Sequence, residues 1–133
     1  MAEILTAARR QLRTGDDYSI RSVATEIGLS SQGLYRYVDS IDQLRGMVTK
    51  QILDSILGHM GAARDRYQDP VSRIVASAVA FRTWALANHA EFRHAFTNSE
   101  TIPLPDDPAP LNTPQRVGQY FAPLFAELRE QTG

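Results

Sequence analysis

The chain has 133 residues, of which 43% are hydrophobic and 22% are charged, and this composition predicts a folded globular chain and excludes wholesale disorder. It contains no cysteine, which excludes disulfides and thiolate metal sites, and no apolar run approaches the roughly 18 residues of a membrane span. The formal net charge is −1, divided as +1 over residues 1–50 (seven Lys or Arg against six acids) and −2 over residues 51–133 (seven against nine), so charge alone predicts weak non-specific affinity for nucleic acid.

A first helix is expected before residue 15, with Arg9, Arg10 and Arg13 on a solvated face. The next helical pattern starts after Ser19, whose hydroxyl is placed to cap the first turn. Gly28 follows this pattern and can adopt the left-handed conformation that ends a helix, while apolar Leu29 is expected to pack under the turn. The segment therefore predicts one short helix and a sharp turn.

A second short helical pattern follows the turn and continues through Tyr37, with Ser30 or Ser31 as its cap. Leu34 and Val38, four residues apart, are expected to point inward. The residues left outside have side chains suited to DNA, because Arg can pair with guanine, Gln with adenine, and hydroxyls with phosphate or base edges. Gly33 in this segment would also allow the backbone to approach the duplex closely. Two short helices joined in this way predict a helix-turn-helix for the DNA major groove.

The segment IRSVATEIGLSSQGLYRYVDSIDQL resembles the DNA-binding signature of TetR-family transcriptional regulators, and EILTAARRQLRTG resembles that family's first helix. The resemblance implies an all-α fold, with a three-helix DNA-binding head over residues 1–45, and a double-stranded DNA operator as partner. It implies that DNA is contacted by Ser19, Arg21, Ser31, Gln32, Gly33, Tyr35, Arg36 and Tyr37, with Tyr35 at a phosphate-contacting position. Ile41 departs from the family pattern, which usually has a lysine there.

The remainder predicts a helical body over residues 46–133. Ser40 followed by Gln43 has the spacing of a capping box that starts a helix of about twenty residues. Asp69 and Pro70 are expected to open a helix with Val71, Ile74, Val75, Ala78, Phe81 and Ala85 on one side, widened by Val79, Trp84 and Leu86. A short helix over Ala90 to Phe96, a proline-rich loop over residues 99–112 and a last helix from Thr113, kinked or broken at Pro123, complete the prediction.

The stretch FRTWALANHAEFRHAF resembles the start of the ligand and dimerisation domain in a WHG-type subgroup of the same family, although that body has more helices and this one is expected to be shortened. The resemblance implies a homodimer on a palindromic operator and release by an unknown small-molecule effector. We expect an effector cavity lined by Phe81, Trp84, Phe96, Tyr120 and Phe121; the alternative is that these aromatic residues form ordinary core.

No residue pattern predicts catalysis, a cofactor or a metal, since His89 and His94 are five residues apart and would not share a helical face. The chain is therefore expected not to be an enzyme and, with no signal-peptide pattern and no membrane span, to be cytoplasmic. The predicted function is that of a repressor released by an effector. The alternative is a helical protein-interaction module that has lost DNA binding.

Overall fold

The structure, a computed structural model, describes residues 1–97 and 112–132, and within those ranges it contains helices and no strand. The predicted all-α fold is thus confirmed. The helices are α1 (Ala2–Arg13), α2 (Ile20–Glu26), α3 (Ser31–Leu34), α4 (Ile41–Arg64), α5 (Pro70–Ala87), α6 (His89–Thr97) and α7 (Thr113–Thr132). The predicted proline-rich loop lies outside the described residues except for Asn112.

Side-chain caps start the helices at the predicted positions. The hydroxyls of Ser19, Ser30 and Ser40 accept backbone N–H groups in the first turns of α2, α3 and α4, and the carboxylate of Asp69 does so for α5. At α4 the reciprocal bond differs slightly from the predicted box, because Gln43 Oε1 accepts the N–H of Asp39 rather than that of Ser40. Each cap satisfies an N–H group that the helix itself leaves unpaired.

The first three helices form a small head that packs on α4. Its buried side chains include Ala8, Val23 and Leu34, and they join Leu44 and Val48 of α4 in one continuous apolar core. Because α4 runs without interruption from Ile41 to Arg64, the boundary predicted at residues 45 and 46 falls inside a helix that serves both parts of the chain.

Helix α5 buries only part of the side that the sequence predicts. Ser77, Ala80 and Trp84 are buried, whereas Val71, Val75, Val79 and Leu86 are more than half exposed. Small residues on the inner side let α5 lie close to α4, and this close approach decides the packing in place of the number of large apolar residues. The face prediction from apolar spacing is therefore wrong for the three valines and Leu86, whereas Phe81 and Trp84 of the predicted side do lie in the core or against it.

Helices α6 and α7 complete the body. In α6, Phe92 and Phe96 stack with ring centroids 4.4 Å apart, as their spacing of four allows. Helix α7 is capped by Asn112, whose Oδ1 accepts the N–H of Gln115 at 2.9 Å. It continues through Pro123, which lies exposed inside the helix, so of the predicted kink or break the break does not occur.

Candidate nucleic-acid interface

The turn between α2 and α3 is fixed by the backbone of Gly28, which has φ +78°. The N–H of Leu29 donates to the carbonyl of Ala24 at 2.8 Å, and the N–H of Gly28 donates to Thr25 at 3.2 Å. This pair of bonds is a Schellman motif, which needs a left-handed residue and so favours glycine. Leu29 does not pack under the turn as predicted but is 38% exposed.

Helix α3 is shorter than the sequence predicts, ending at Leu34 instead of continuing through Tyr37. The N–H of Tyr37 donates to the carbonyl of Leu34 at 2.9 Å, three residues back, so the chain tightens into a turn. The predicted inward anchors are confirmed, since Leu34 and Val38 are almost completely buried. They hold the exposed side chains of this segment against the core.

The structure brings several of the predicted DNA-contacting residues together on one surface. A shallow cleft of about 560 Å³ is lined by Ser30, Gln32, Gly33, Tyr35 and Arg36. An ideal Cβ on Gly33 would lie 3.3 Å from Ser30 Oγ, the cap of α3, so glycine also fits the local packing. Four of the eight predicted residues therefore share this cleft.

The other predicted residues lie beside it. Tyr37 is 55% exposed, Ser31 is half-buried, and Ser19 and Arg21 are exposed at the start of α2. Ser19 Oγ already accepts the N–H of Ser22 at 3.0 Å, which leaves it one further lone pair for a contact. Ile41 is partly buried against the core, so this departure from the family pattern has a packing role.

Arg21 and Arg36 are the exposed cations of this surface. Within residues 1–97 and 112–132 neither forms an ion pair, in contrast to Arg10, which pairs with Glu26, and Arg45, which pairs with Asp17. A guanidinium that makes no ion pair within the protein keeps its donors for carboxylate, phosphate or guanine acceptors. The surface therefore combines two such cations with amide, hydroxyl and phenol donors.

The comparisons with known proteins agree with this geometry. No protein-family model matches the chain. An HTH-type transcriptional regulator of Mycobacterium bovis is 31% identical over 136 aligned positions, covering 94% of this chain and 56% of that protein. An uncharacterised HTH-type transcriptional regulator of Mycobacterium tuberculosis is 34% identical over 97 positions, covering 70% of this chain and 41% of that protein. The matched regions thus span about half the length of these relatives, 56% of the first and 41% of the second.

Two crystal structures share the fold. A TetR family transcription regulator from Marinobacter aquaeolei VT8 superposes with a TM-score of 0.67 at 18% identity, covering 97% of this chain and 66% of that one. SCO4313, a proposed regulatory protein, superposes with a TM-score of 0.68 at 25% identity, covering 99% and 62%. The chain thus has the fold of TetR-family regulators and is similar in sequence to HTH-type transcriptional regulators. These likenesses support the predicted family, and the curated relatives are named as transcriptional regulators.

The five aromatic residues predicted to line an effector cavity all belong to the core of the body or pack against it. Phe81 meets Phe96 edge-on at 5.9 Å, and Tyr120 meets Phe121 at 5.3 Å. Tyr120 also lines a cavity of about 200 Å³ between α4 and α7. A larger groove of about 620 Å³ follows α4 and the exposed side of α5 and is lined by none of the five. Their role as ligand contacts stays a prediction.

The sequence analysis did not identify the residues that join the head to α6. Glu91 is 1% exposed, and its carboxylate pairs with Arg9 at 2.6 Å and with Arg13 at 2.9 Å. Arg9 is therefore not part of a solvated face as predicted, and Arg13, although half exposed, is paired. The acid and the arginines are about eighty residues apart in the chain, so no local pattern connects them.

A second polar contact joins the head to α6 beside the first. Tyr18 Oη and His94 Nε2 are 2.8 Å apart, and Thr49 Oγ1 of α4 lies 3.3 Å from His94 Nδ1. Burial lowers the pKa of His94 to about 4 and raises the pKa of the Tyr18 phenol well above its ordinary value, so both are neutral near pH 7. The two side chains thus form a neutral, buried hydrogen bond.

No three His, Asp or Glu side chains of the described ranges come together as a metal site. None of the helices there is long and apolar enough to cross a membrane.

Proposed function

We propose that this chain is a sequence-specific DNA-binding transcriptional regulator that acts in the cytoplasm. The observation that carries the proposal is the surface around α3, where Gln32, Tyr35 and Arg36 are exposed around one cleft while Leu34 and Val38 anchor the segment from below. Arg and Gln at exposed positions of a helix-turn-helix are suited to reading guanine and adenine edges. The relatives and the fold support the same assignment.

The finer parts of the proposal concern assembly and regulation. A homodimer would place two reading segments in successive major grooves of a palindromic operator, with half-sites about 34–36 Å apart. The dimer would have two arrangements, one that fits the operator and one that does not. A small-molecule effector would end repression if it binds the second arrangement more tightly than the first. Aromatic side chains in the body, including Phe81 and Trp84, are the proposed effector contacts.

The test is selection of bound sequences from a random duplex pool with the full chain at two salt concentrations, with its oligomeric state recorded. We expect a palindromic enriched site whose affinity falls steeply with salt, because several phosphates are contacted. On the selected site, Arg36→Ala should cost about 1–3 kcal/mol and relax the preference at one base pair.

The matched control is Arg82→Ala, which removes the same charge from an exposed position of α5 outside the proposed interface. It should leave the base preference unchanged. Equal weakening by Arg36→Ala on all sequences would contradict a base-reading role for that residue and leave it as a phosphate contact.

The exposed apolar residues of α5 favour one rival, a helical protein-interaction module that has lost DNA binding. Val71, Val75 and Val79 recur at a spacing of four and are each more than half exposed, which suits docking to another helix. Such docking would respond little to salt. If a folded dimer enriched no sequence from the pool, that result would favour this rival.

A further inference from the structure

Both oxygens of one buried carboxylate in the body are bonded to the first helix of the head. Glu91 Oε2 accepts from Arg9 Nη2 at 2.6 Å and from Arg9 Nε at 3.1 Å, while Oε1 accepts from Arg13 Nη1 at 2.9 Å. Arg9 is further held by Gln51 and Ser55 of α4, each at 3.3 Å. A buried charge with this many donors has a narrowly defined position, so α1 is fixed against α6.

Helix α1 passes this constraint to α2 through Gln11, which lies midway between Arg9 and Arg13 in the chain. Gln11 Nε2 donates to the backbone carbonyl of Ser22 at 3.1 Å, and the hydroxyl of Ser22 donates to Gln11 Oε1 at 2.6 Å. Ser22 in turn forms the capping box with Ser19, because each hydroxyl bonds the backbone N–H of the other. An unbroken set of bonds therefore runs from α6 to the first turn of α2.

The second contact reaches the same turn by a shorter route. Tyr18 immediately precedes Ser19, is 2% exposed, and has its hydroxyl 2.8 Å from His94 Nε2. Thr49 restrains the other ring nitrogen of that histidine. Two residues of α6, one turn apart, thus act on the two sides of the segment that carries Ser19 and Arg21.

We propose that Glu91 and His94 are positioning residues for DNA binding: they fix the orientation of α1 and of the first turn of α2, and thereby the placement of Ser19 and Arg21 on the duplex. This inference rests on the proposed function. Neither residue would touch DNA, since both are buried on the body side of the head. Neutralising Glu91 or removing the Tyr18 hydroxyl would leave the fold in place while loosening the reading surface.

The experiment compares two full-length variants with the unmodified chain and with Asp54→Asn, which removes a carboxylate from an exposed pair with Lys50. Glu91→Gln keeps the shape of the side chain but leaves the arginines uncompensated, and Tyr18→Phe removes one hydroxyl while keeping the ring. For each we would measure Kd on the selected duplex, the active fraction by stoichiometric titration, the thermal midpoint, and amide hydrogen exchange across residues 19–26.

We expect Kd to weaken about tenfold in both variants with the active fraction retained, by analogy with metal sites, where loss of a hydrogen-bonded partner behind a ligand weakens metal affinity by about that factor. Exchange should accelerate over residues 19–26 more than in α5, and Asp54→Asn should change neither quantity. A reduced active fraction with unchanged Kd in the remainder would show a purely structural role and overturn the proposal, as would unchanged Kd and exchange in both variants.

Failure of the proposed function has a separate signature. If the unmodified chain binds no duplex specifically, DNA binding is refuted, and exchange then decides the positioning role alone. Acceleration confined to residues 19–26 in Glu91→Gln and Tyr18→Phe would support control of α2 by α6. Exchange equal to that of Asp54→Asn would overturn it.

Discussion

The buried histidine makes folding stability depend on pH in a defined window. Burial lowers the pKa of His94 from 6.5 to about 4, so between these values the unfolded chain binds a proton that the folded chain does not. The free energy of unfolding is therefore largest above pH 6.5 and falls as the pH drops towards 4. The lowering of the His94 pKa by about 2.5 corresponds to a loss of roughly 3 kcal/mol in the free energy of unfolding across this pH window.

The measurement is urea unfolding of the unmodified chain and of His94→Gln at a series of pH values between about 4 and 7.5. His94→Gln should be less stable at neutral pH, because it disturbs the contact with Tyr18, yet should lack the fall across the window. The matched control is His59→Gln, an exposed histidine on α4, whose stability should follow that of the unmodified chain at every pH.

Parallel stability curves for the unmodified chain and His94→Gln would refute this reasoning. So would a ring titration of His94 near pH 6.5 followed by NMR. Carboxylates add an acid-dependent loss of their own; the pKa of Asp69, for example, is lowered by its hydrogen bond to Ser72. For Asp69 that loss develops mainly below its unfolded pKa of about 4, at the acid end of the histidine window.

Three further substitutions, followed by chemical denaturation, test the backbone at the turn and the core anchor of the α3 segment. Gly28→Ala should destabilise the fold by about 1–2 kcal/mol, because its φ of +78° is unfavourable for alanine even though the added Cβ would meet no neighbour. Gly58→Ala, within α4 and equally uncrowded, should stabilise it by about 0.5–1 kcal/mol, because alanine favours the helix. The same sign for both would contradict the backbone argument. Leu34→Ala should destabilise by about 2–5 kcal/mol, and a loss under 1 kcal/mol would contradict its anchoring role.

The beginnings of the helices could be predicted because their signals are local. Ser19, Ser40 and Asp69 each cap within three residues of their own position, so the sequence contains both partners of the bond. The same holds for Gly28, whose left-handed conformation follows from the turn it makes. The exposed side chains of the α3 segment could likewise be predicted once Leu34 and Val38 were assigned to the core.

The inner face of α5 and the partners of Glu91 could not be predicted in this way. Helix α5 has apolar residues on all of its sides, so their spacing alone does not predict which side is buried. The burial of Ser77 and Ala80 depends on how closely α4 approaches. The pairing of Glu91 with Arg9 joins residues 82 positions apart, and it exists only after α1 and α6 have come together. Such contacts follow from tertiary structure rather than from any local pattern.

The sharing of α4 between head and body has a consequence for chimeric regulators. This helix of 24 residues is about 36 Å long and has no break at which one module could be exchanged for another. A head transplanted from a relative would have to match the α4 core and also present cations where Arg9 and Arg13 lie. Without them, Glu91 would remain as an uncompensated buried charge, and the hybrid would be unstable whatever the quality of its junction.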